Sequence, residues 1–262
     1  MSGPQRGTDS EVSRIALVTG AAGGIGQRIV HRLAGQGTTV VAVDLAADTS
    51  KDLRSIPGRV AIVQGDITDP ADIERIVADT ELDIGPIDYL VNAVGILRVG
   101  EVVQLAQADW DEMFAVNTTG VFRMIREVVP RMIARRRGAI VTVSSNAART
   151  PRASMSAYSA SKAAATMLAK CAALEVAKYG IRCNVVSPGS TRTEMLRTSW
   201  EHEDRAEATI AGVPEQFRLG IPLGRIADPD DIVDAVEFLL SDRARHITMQ
   251  ELTVDGGATL GS

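Results

Sequence analysis

Arg14-Ile-Ala-Leu-Val-Thr-Gly20-Ala-Ala-Gly-Gly24-Ile-Gly26 is the stretch from which the rest of the chain can be read. A short apolar run that stops at a glycine fits a buried parallel strand. A helical stretch to about Gln36 follows, ended by Gly37. Glycines at such a strand–helix turn let the backbone approach a pyrophosphate, and the helix N-terminus favours its charge. Gly20, Gly24, Ile25 and Gly26 are therefore the first candidates for a nucleotide site. Their spacing departs from the usual dinucleotide fingerprint, and tight helix–strand packing also selects glycine, so a second signal is needed. Asp44 provides it. It closes a second strand, Thr39 to Val43, a little over ~20 residues past the glycines, where an acid can accept both ribose hydroxyls and repel a 2′-phosphate. No basic residue occurs from Gly20 through Gly26, and Leu45 follows the acid, so NAD is expected rather than NADP.

Working outward, further strands are expected at Val60–Gln64, Ile87–Val91, Ile140–Val143, Arg182–Ser187 and Glu251–Val254. Asp66-Ile67 follows the third strand, where an adenine can lie. Asn92-Ala-Val-Gly95 forms a tight loop after the fourth, and Pro188-Gly189 follows the sixth. Helices alternate with these strands: one after Pro70, one from about Ala108 to Ala134 bent at Pro130, one after Ser154, and one from Asp228 to about Ser241. Asn117 falls inside the second, a poor place for an amide without a partner. The pattern predicts a single-domain α/β fold, a Rossmann-type doubly wound parallel sheet of about seven strands with helices on both faces. Residues 1–13 read as a polar, disordered extension and residues 14–262 as the domain, with a substrate lid at about 191–223 that includes an exposed helix over Glu201–Thr209.

Ligands of such sheets bind beyond the carboxyl ends of the strands. That edge also receives Val141-Thr-Val-Ser-Ser145 and the alanine-rich helix carrying Tyr158-Ser-Ala-Ser-Lys162. Tyr158 and Lys162 lie one turn apart on one helix face. An ammonium beside a phenol lowers its pKa from about 10, which would make Tyr158 a general acid/base, with Ser145 holding the reacting oxygen. Tyr and Lys also meet at this spacing as plain surface pairs; the nucleotide turn at the same sheet edge favours catalysis.

Composition narrows the alternatives. The chain has 262 residues, of which 45% are hydrophobic, enough for one sizeable core. A net charge of -5 argues against a nucleic-acid surface, and no apolar run reaches the ~20 residues of a membrane span. The N-terminus shows no secretory signal. Cys171 and Cys183 fit a reducing cytoplasm and are expected to be buried thiols. His31, His202 and His246 show no metal-ligand spacing, so no metal is expected.

Taken together, these residues resemble the short-chain dehydrogenase/reductase family across Arg14 to Ser262. Thr19-Gly20 through Gly24-Ile25-Gly26 is similar to its cofactor turn, and Asn92-Ala93-Val94-Gly95 to its asparagine motif, with Val94 where alanine is usual. The resemblance implies that Asn117, Ser145, Tyr158 and Lys162 are the catalytic set, that Lys162 also binds the nicotinamide ribose, and that Pro188, Gly189, Thr191 and Thr193 lie near the nicotinamide amide. Ser145 rather than Ser144 is chosen because it lies thirteen residues before the tyrosine. It also implies a homotetramer.

Several loops resemble one branch of that family: Gly95 to Gly100, Thr150-Pro-Arg152, Ser187 to Thr191, Glu215 to Gly224 and Asp255 to Gly261. That branch oxidises a carboxylated cyclic diol to the catechol acid of aryl siderophores. The substrate carboxylate then needs a cation. Arg98 and Arg152 are the preferred candidates, with Arg149 behind them, and Met155, Gln216 and Phe217 are further pocket candidates. Competing readings are a dehydrogenase of a dihydro-hydroxyanthranilate or other cyclic alcohol, a 3-oxoacyl or steroid reductase, and a non-catalytic NAD-binding regulator. Asp44 counts against an NADPH-using reductase, and the filled catalytic positions count against the regulator.

Overall fold

The computed structural model describes residues 13–46, 60–198 and 205–261. The expected extension over residues 1–12, His202 and the first half of the expected lid helix lie outside the described residues; Ser13, at the extension's end, hydrogen-bonds to the Gly37 carbonyl at 2.8 Å.

Seven parallel strands form the sheet: β1 (Ile15–Thr19), β2 (Thr39–Asp44), β3 (Val60–Gln64), β4 (Tyr89–Asn92), β5 (Gly138–Val143), β6 (Ile181–Pro188) and, after a short hairpin β7 (Gly212–Val213) and β8 (Arg218–Leu219), β9 (Glu251–Val254). Their order is β3-β2-β1-β4-β5-β6-β9. The chain runs outward from β1 to β3, then returns to lay β4 beside β1, so the topological switch lies between β1 and β4. The glycine turn leaves β1 and the Asn92 loop leaves β4 on either side of that crevice.

Alternation along the strands feeds two cores. Ala16 and Val18 face one side with Val40 and Ala42, where they meet Ile29, Val30 and Leu33 of α1 (Gly24–Gly35) and Ile232, Val236 and Leu239 of α8 (Pro229–Leu240). Leu17, Val41 and Val43 face the other side, against α2 (Pro70–Asp79), α4 (Val121–Arg135) and α5 (Ser156–Val176). With both sheet faces covered, β1 is buried at every residue, and its sequence is accordingly continuous rather than alternating.

The long helix expected over Ala108–Ala134 is α3 (Gln107–Phe114) and α4 joined through a π-helical turn, Ala115–Gly120. Pro130 lies within α4 without interrupting it. The π turn has a tertiary cause. Asn117 and Thr118 are drawn out of register by bonds to Ile96 and Ser161, and Gly120 lets Ile67 pack where a Cβ would come within 2.4 Å of its Cδ1. Such bulges in otherwise regular helices often mark functional positions. In the lid region, α6 (Glu194–Thr198) and α7 (Arg205–Ala211) precede the β7–β8 hairpin. Cys183 is buried, and burial pushes its thiol up to about 12; Cys171, expected to be buried, is exposed. No described helix is long and apolar enough to cross a membrane. Among the described residues no group of His, Cys, Asp or Glu is placed to hold a metal.

Candidate active site

Ser144 and Ser145 follow the end of β5 and serve different ends. Ser144 Oγ meets Thr166 Oγ1 at 2.6 Å and donates to the Lys162 carbonyl, which fastens α5 to the strand. Ser145 accepts the Ala147 N–H at 3.2 Å and shares a hydrogen bond with Tyr158. Of the two serines, Ser145 is therefore the one that meets the Tyr158 phenol.

Tyr158 and Lys162 share the helix face as their spacing predicts, yet the electrostatics differ from the expectation. The Lys162 ammonium donates to the carbonyls of Val143 at 3.0 Å and Val94 at 3.4 Å, which ties α5 to the ends of β5 and β4. Burial lowers its pKa to about 8. Burial also pushes the Tyr158 phenol above its ordinary value, and the Ser145 hydrogen bond offsets only part of this rise. Without a ligand, then, the phenol is held neutral instead of being driven to phenolate. Gly95 adjoins the ammonium, since a Cβ at that position would lie 2.9 Å from Lys162 Nζ.

Asn117 is wholly buried and fully paired. Its Oδ1 accepts the Ile96 N–H at 2.9 Å, and its Nδ2 donates to the Ile96 carbonyl and to Ser161 Oγ, each at 3.0 Å. Ser161 Oγ in turn donates to the Tyr158 carbonyl at 2.9 Å. Ser161 thus links Asn117 to the tyrosine's helix turn. Sequence reasoning passes over it, although its position three residues after Tyr158 on one helix face is an available signal.

The glycine turn faces these groups across the switch point. Gly20 has a positive φ of 69°, and a Cβ there would lie 2.6 Å from the Val94 backbone; at Gly26 it would lie 2.0 Å from the Gly20 carbonyl. Gly23 precedes α1 as its N-cap and offers no side-chain cap, and the first turn has no acid, which leaves the helix N–H groups open to an anion. Asp44 already accepts the Ala22 N–H at 2.9 Å, so the carboxylate and the glycine turn hold each other in place. Asp66 accepts the Thr68 N–H and hydroxyl through one oxygen, each at 2.7 Å, beside buried Ile67. Thr19 Oγ1 and Asn92 Oδ1 at the switch point are buried without a hydrogen-bond partner. Beyond β6, the Thr191 hydroxyl donates to the Gly189 carbonyl at 3.1 Å, and Thr193 packs against Gly24, closing the loop over the glycine turn. The open helix end, the acid at the ribose position and the unpaired polar atoms between them fit a nicotinamide dinucleotide.

The structure separates the three arginines. Arg98 is exposed and turned to Glu112, at 3.0 Å, and Asp109 of α3, so it is not brought to the site; the acidic face of α3 captures it. Arg149 points towards the buried Glu251 carboxylate, at 4.0 Å, which Lys170 also holds. Arg152 alone of the three has no carboxylate partner among the described residues, and it is half-buried in the loop before Tyr158's helix. Met155 packs in one apolar cluster with Tyr158, Met113 and Ala147. Gln216 and Phe217 sit exposed at the hairpin tip, Phe217 at 95%.

A fold with this switch-point crevice and a Ser–Tyr–Lys set beside a nucleotide turn belongs to a class of nicotinamide-dependent oxidoreductases. The family profile described as enoyl-(acyl carrier protein) reductase matches residues 20–259. The chain belongs to the short-chain dehydrogenase/reductase family and is an oxidoreductase acting on a CH–OH group with a nicotinamide cofactor. It is 50% identical over 252 residues to the 2,3-dihydro-2,3-dihydroxybenzoate dehydrogenase of Bacillus subtilis, covering 95% of this chain and 97% of that one. It is 43% identical to the vibriobactin-specific 2,3-dihydro-2,3-dihydroxybenzoate dehydrogenase of Vibrio cholerae, covering 96% and 98%. The crystal structure of levodione reductase superposes with a TM-score of 0.87 at 27% identity, covering 95% of this chain and 98% of that one.

Proposed function

We propose that this chain oxidises 2,3-dihydro-2,3-dihydroxybenzoate to 2,3-dihydroxybenzoate with NAD, in the cytoplasm, as a step of siderophore biosynthesis. The observation that carries the reading is the complete Asn117–Ser145–Tyr158–Lys162 set in a chain half identical, over nearly its whole length, to a dehydrogenase of that diol.

Asp44 would receive the adenosine ribose hydroxyls and repel a 2′-phosphate; the turn from Gly20 to Gly26 would receive the pyrophosphate, and Asp66 and Ile67 the adenine edge. Asn92, Gly95, Pro188, Gly189, Thr191 and Thr193 would border the nicotinamide end. Bound there, NAD supplies the hydride acceptor and a positive charge that favours phenolate. Tyr158 removes the proton of the substrate hydroxyl while Ser145 hydrogen-bonds to the oxygen as it becomes a carbonyl. Lys162 positions the ribose and carries positive charge towards the phenol. Asn117, fixed by Ile96 and Ser161, would hold a water for proton exchange. The ketone formed in the ring then tautomerises to the aromatic catechol, which drives the oxidation to completion. Arg152 holds the carboxylate. Exposed Trp110, Phe122, Met167 and Leu174 on α3, α4 and α5 support assembly as a homotetramer.

The test follows reduced nicotinamide and aromatic product together, with the diol acid and either NAD or NADP. Equimolar formation of both with NAD, and a much lower kcat/KM with NADP, is expected. No turnover of the diol acid with either cofactor would reject the substrate, and equal efficiency with NADP would reject the role of Asp44.

A further inference from the structure

Arg218 lies at the start of β8, opposite Val213 of β7, in a hairpin braced against α7: a Cβ at Gly220 would meet the Ile210 carbonyl oxygen at 2.3 Å. The turn places Phe217 in a left-handed conformation, φ 52°, and sends Arg218 inward. There its Nη2 donates to Ser190 Oγ at 3.0 Å, in the loop after β6 that also carries Gly189. Arg152 comes to the same place from the loop after β5, within reach of its charge. Both guanidiniums are half-buried, and neither has an acidic partner among the described residues. Burial lowers both below the ordinary arginine value, and Arg152 lowers Arg218 further.

Asp255 relieves Arg152 only in part, against the larger effect of burial, and does not act on Arg218. Asp255 is the one acid acting on Arg152, yet its oxygens are engaged by Thr259 Oγ1 at 2.7 Å, Asn146 Nδ2 at 3.2 Å and the Gly257 N–H at 2.9 Å. Two partly desolvated like charges that have between them, among the described residues, only one already engaged carboxylate are costly unless an anion completes the site. Each guanidinium offers paired donors that match a carboxylate.

We propose that Arg218, steered by Ser190, joins Arg152 in a two-guanidinium clamp for the substrate carboxylate, so that the β7–β8 hairpin sets specificity for carboxylated rings. This inference rests on the function proposed above and adds a residue from outside the catalytic helix and its loop.

The experiment titrates 2,3-dihydroxybenzoate, and separately catechol, into the NADH complex of the wild-type chain, Arg218→Gln, Arg218→Lys and Ser190→Ala. Arg218→Gln should weaken binding of the acid by about tenfold or more, as expected for a lost charged hydrogen bond, and leave catechol binding within about twofold. Arg218→Lys should recover only part of the loss, because an ammonium cannot form the paired contact. Ser190→Ala should fall between wild type and Arg218→Gln, and unchanged NADH affinity in all variants would show that they fold. Wild-type affinity for the acid in both Arg218→Gln and Ser190→Ala would overturn the clamp while leaving the proposed function intact. A wild-type chain that binds the acid no better than catechol would overturn both.

Discussion

The Tyr158 helix and the β7–β8 hairpin are built on opposite principles. Around Tyr158, the polar side chains of Asn117, Ser144, Ser161 and Lys162 are all bound to backbone or to one another. Around Arg218, one serine contact holds a guanidinium that has no counter-charge among the described residues. In the first region these four side chains are paired before any ligand arrives, whereas in the second a half-buried guanidinium is left without an acid among the described residues. Groups that do chemistry gain from being fixed in advance, because little reorganisation remains for the reacting state. Groups that select a substrate gain from being short of one partner, because only the right ligand supplies it.

The contrast can be broken in steps. Tyr158→Phe should lower kcat by about 10²–10⁴, the usual contribution of a positioned acid/base, with far less effect on binding of the aromatic acid; steady-state rates and product titration check this. A kcat close to wild type would remove Tyr158 from the reaction.

Lys162 sharpens the comparison through pH. Its folded pKa, about 8, lies below the ordinary lysine value of about 10.4. Below about pH 8 the lysine is charged in both the folded and unfolded states, and the cost of burying the charge is fully present. Between about pH 8 and about 10.4 the unfolded chain binds more protons than the folded one, so this residue's contribution to stability rises with pH. The melting temperature of the cofactor-free wild type, relative to Lys162→Met, should therefore shift in favour of the wild type across that window. A constant difference would contradict the buried, charged lysine. The smallest effect is expected at Arg98, since its guanidinium serves Glu112 and Asp109: Arg98→Ala should leave KM for the diol acid unchanged within about twofold, within the range of weak surface ion pairs.

These contrasts also explain what can be read from the chain alone. The strands are legible because a fully buried parallel strand is written as an unbroken apolar run, as in Ile15–Thr19. The glycine turn after β1 and the acid that ends β2 are legible because each is a local feature of a strand end. The π turn at Ala115–Gly120 is not, because its cause lies in bonds to Ile96 and Ser161, distant in sequence. The direction of the Tyr158 shift is hidden for a similar reason: spacing places the ammonium near the phenol but does not show that two carbonyls hold it. Three candidate arginines look alike in sequence, and only the fold shows that acids occupy two of them. Arg218 gives no local signal, because its neighbours Arg152 and Ser190 come from two other loops.

The most direct test of this division of labour compares initial rates for 2,3-dihydro-2,3-dihydroxybenzoate and the same cyclic diol without its carboxylate, with NAD saturating. The account predicts a large rise in KM and a much smaller change in kcat when the carboxylate is removed, because the catalytic helix is already assembled. Equal kcat/KM for the two diols would show that nothing in the hairpin or its neighbouring loops reads the carboxylate, and the account would fail.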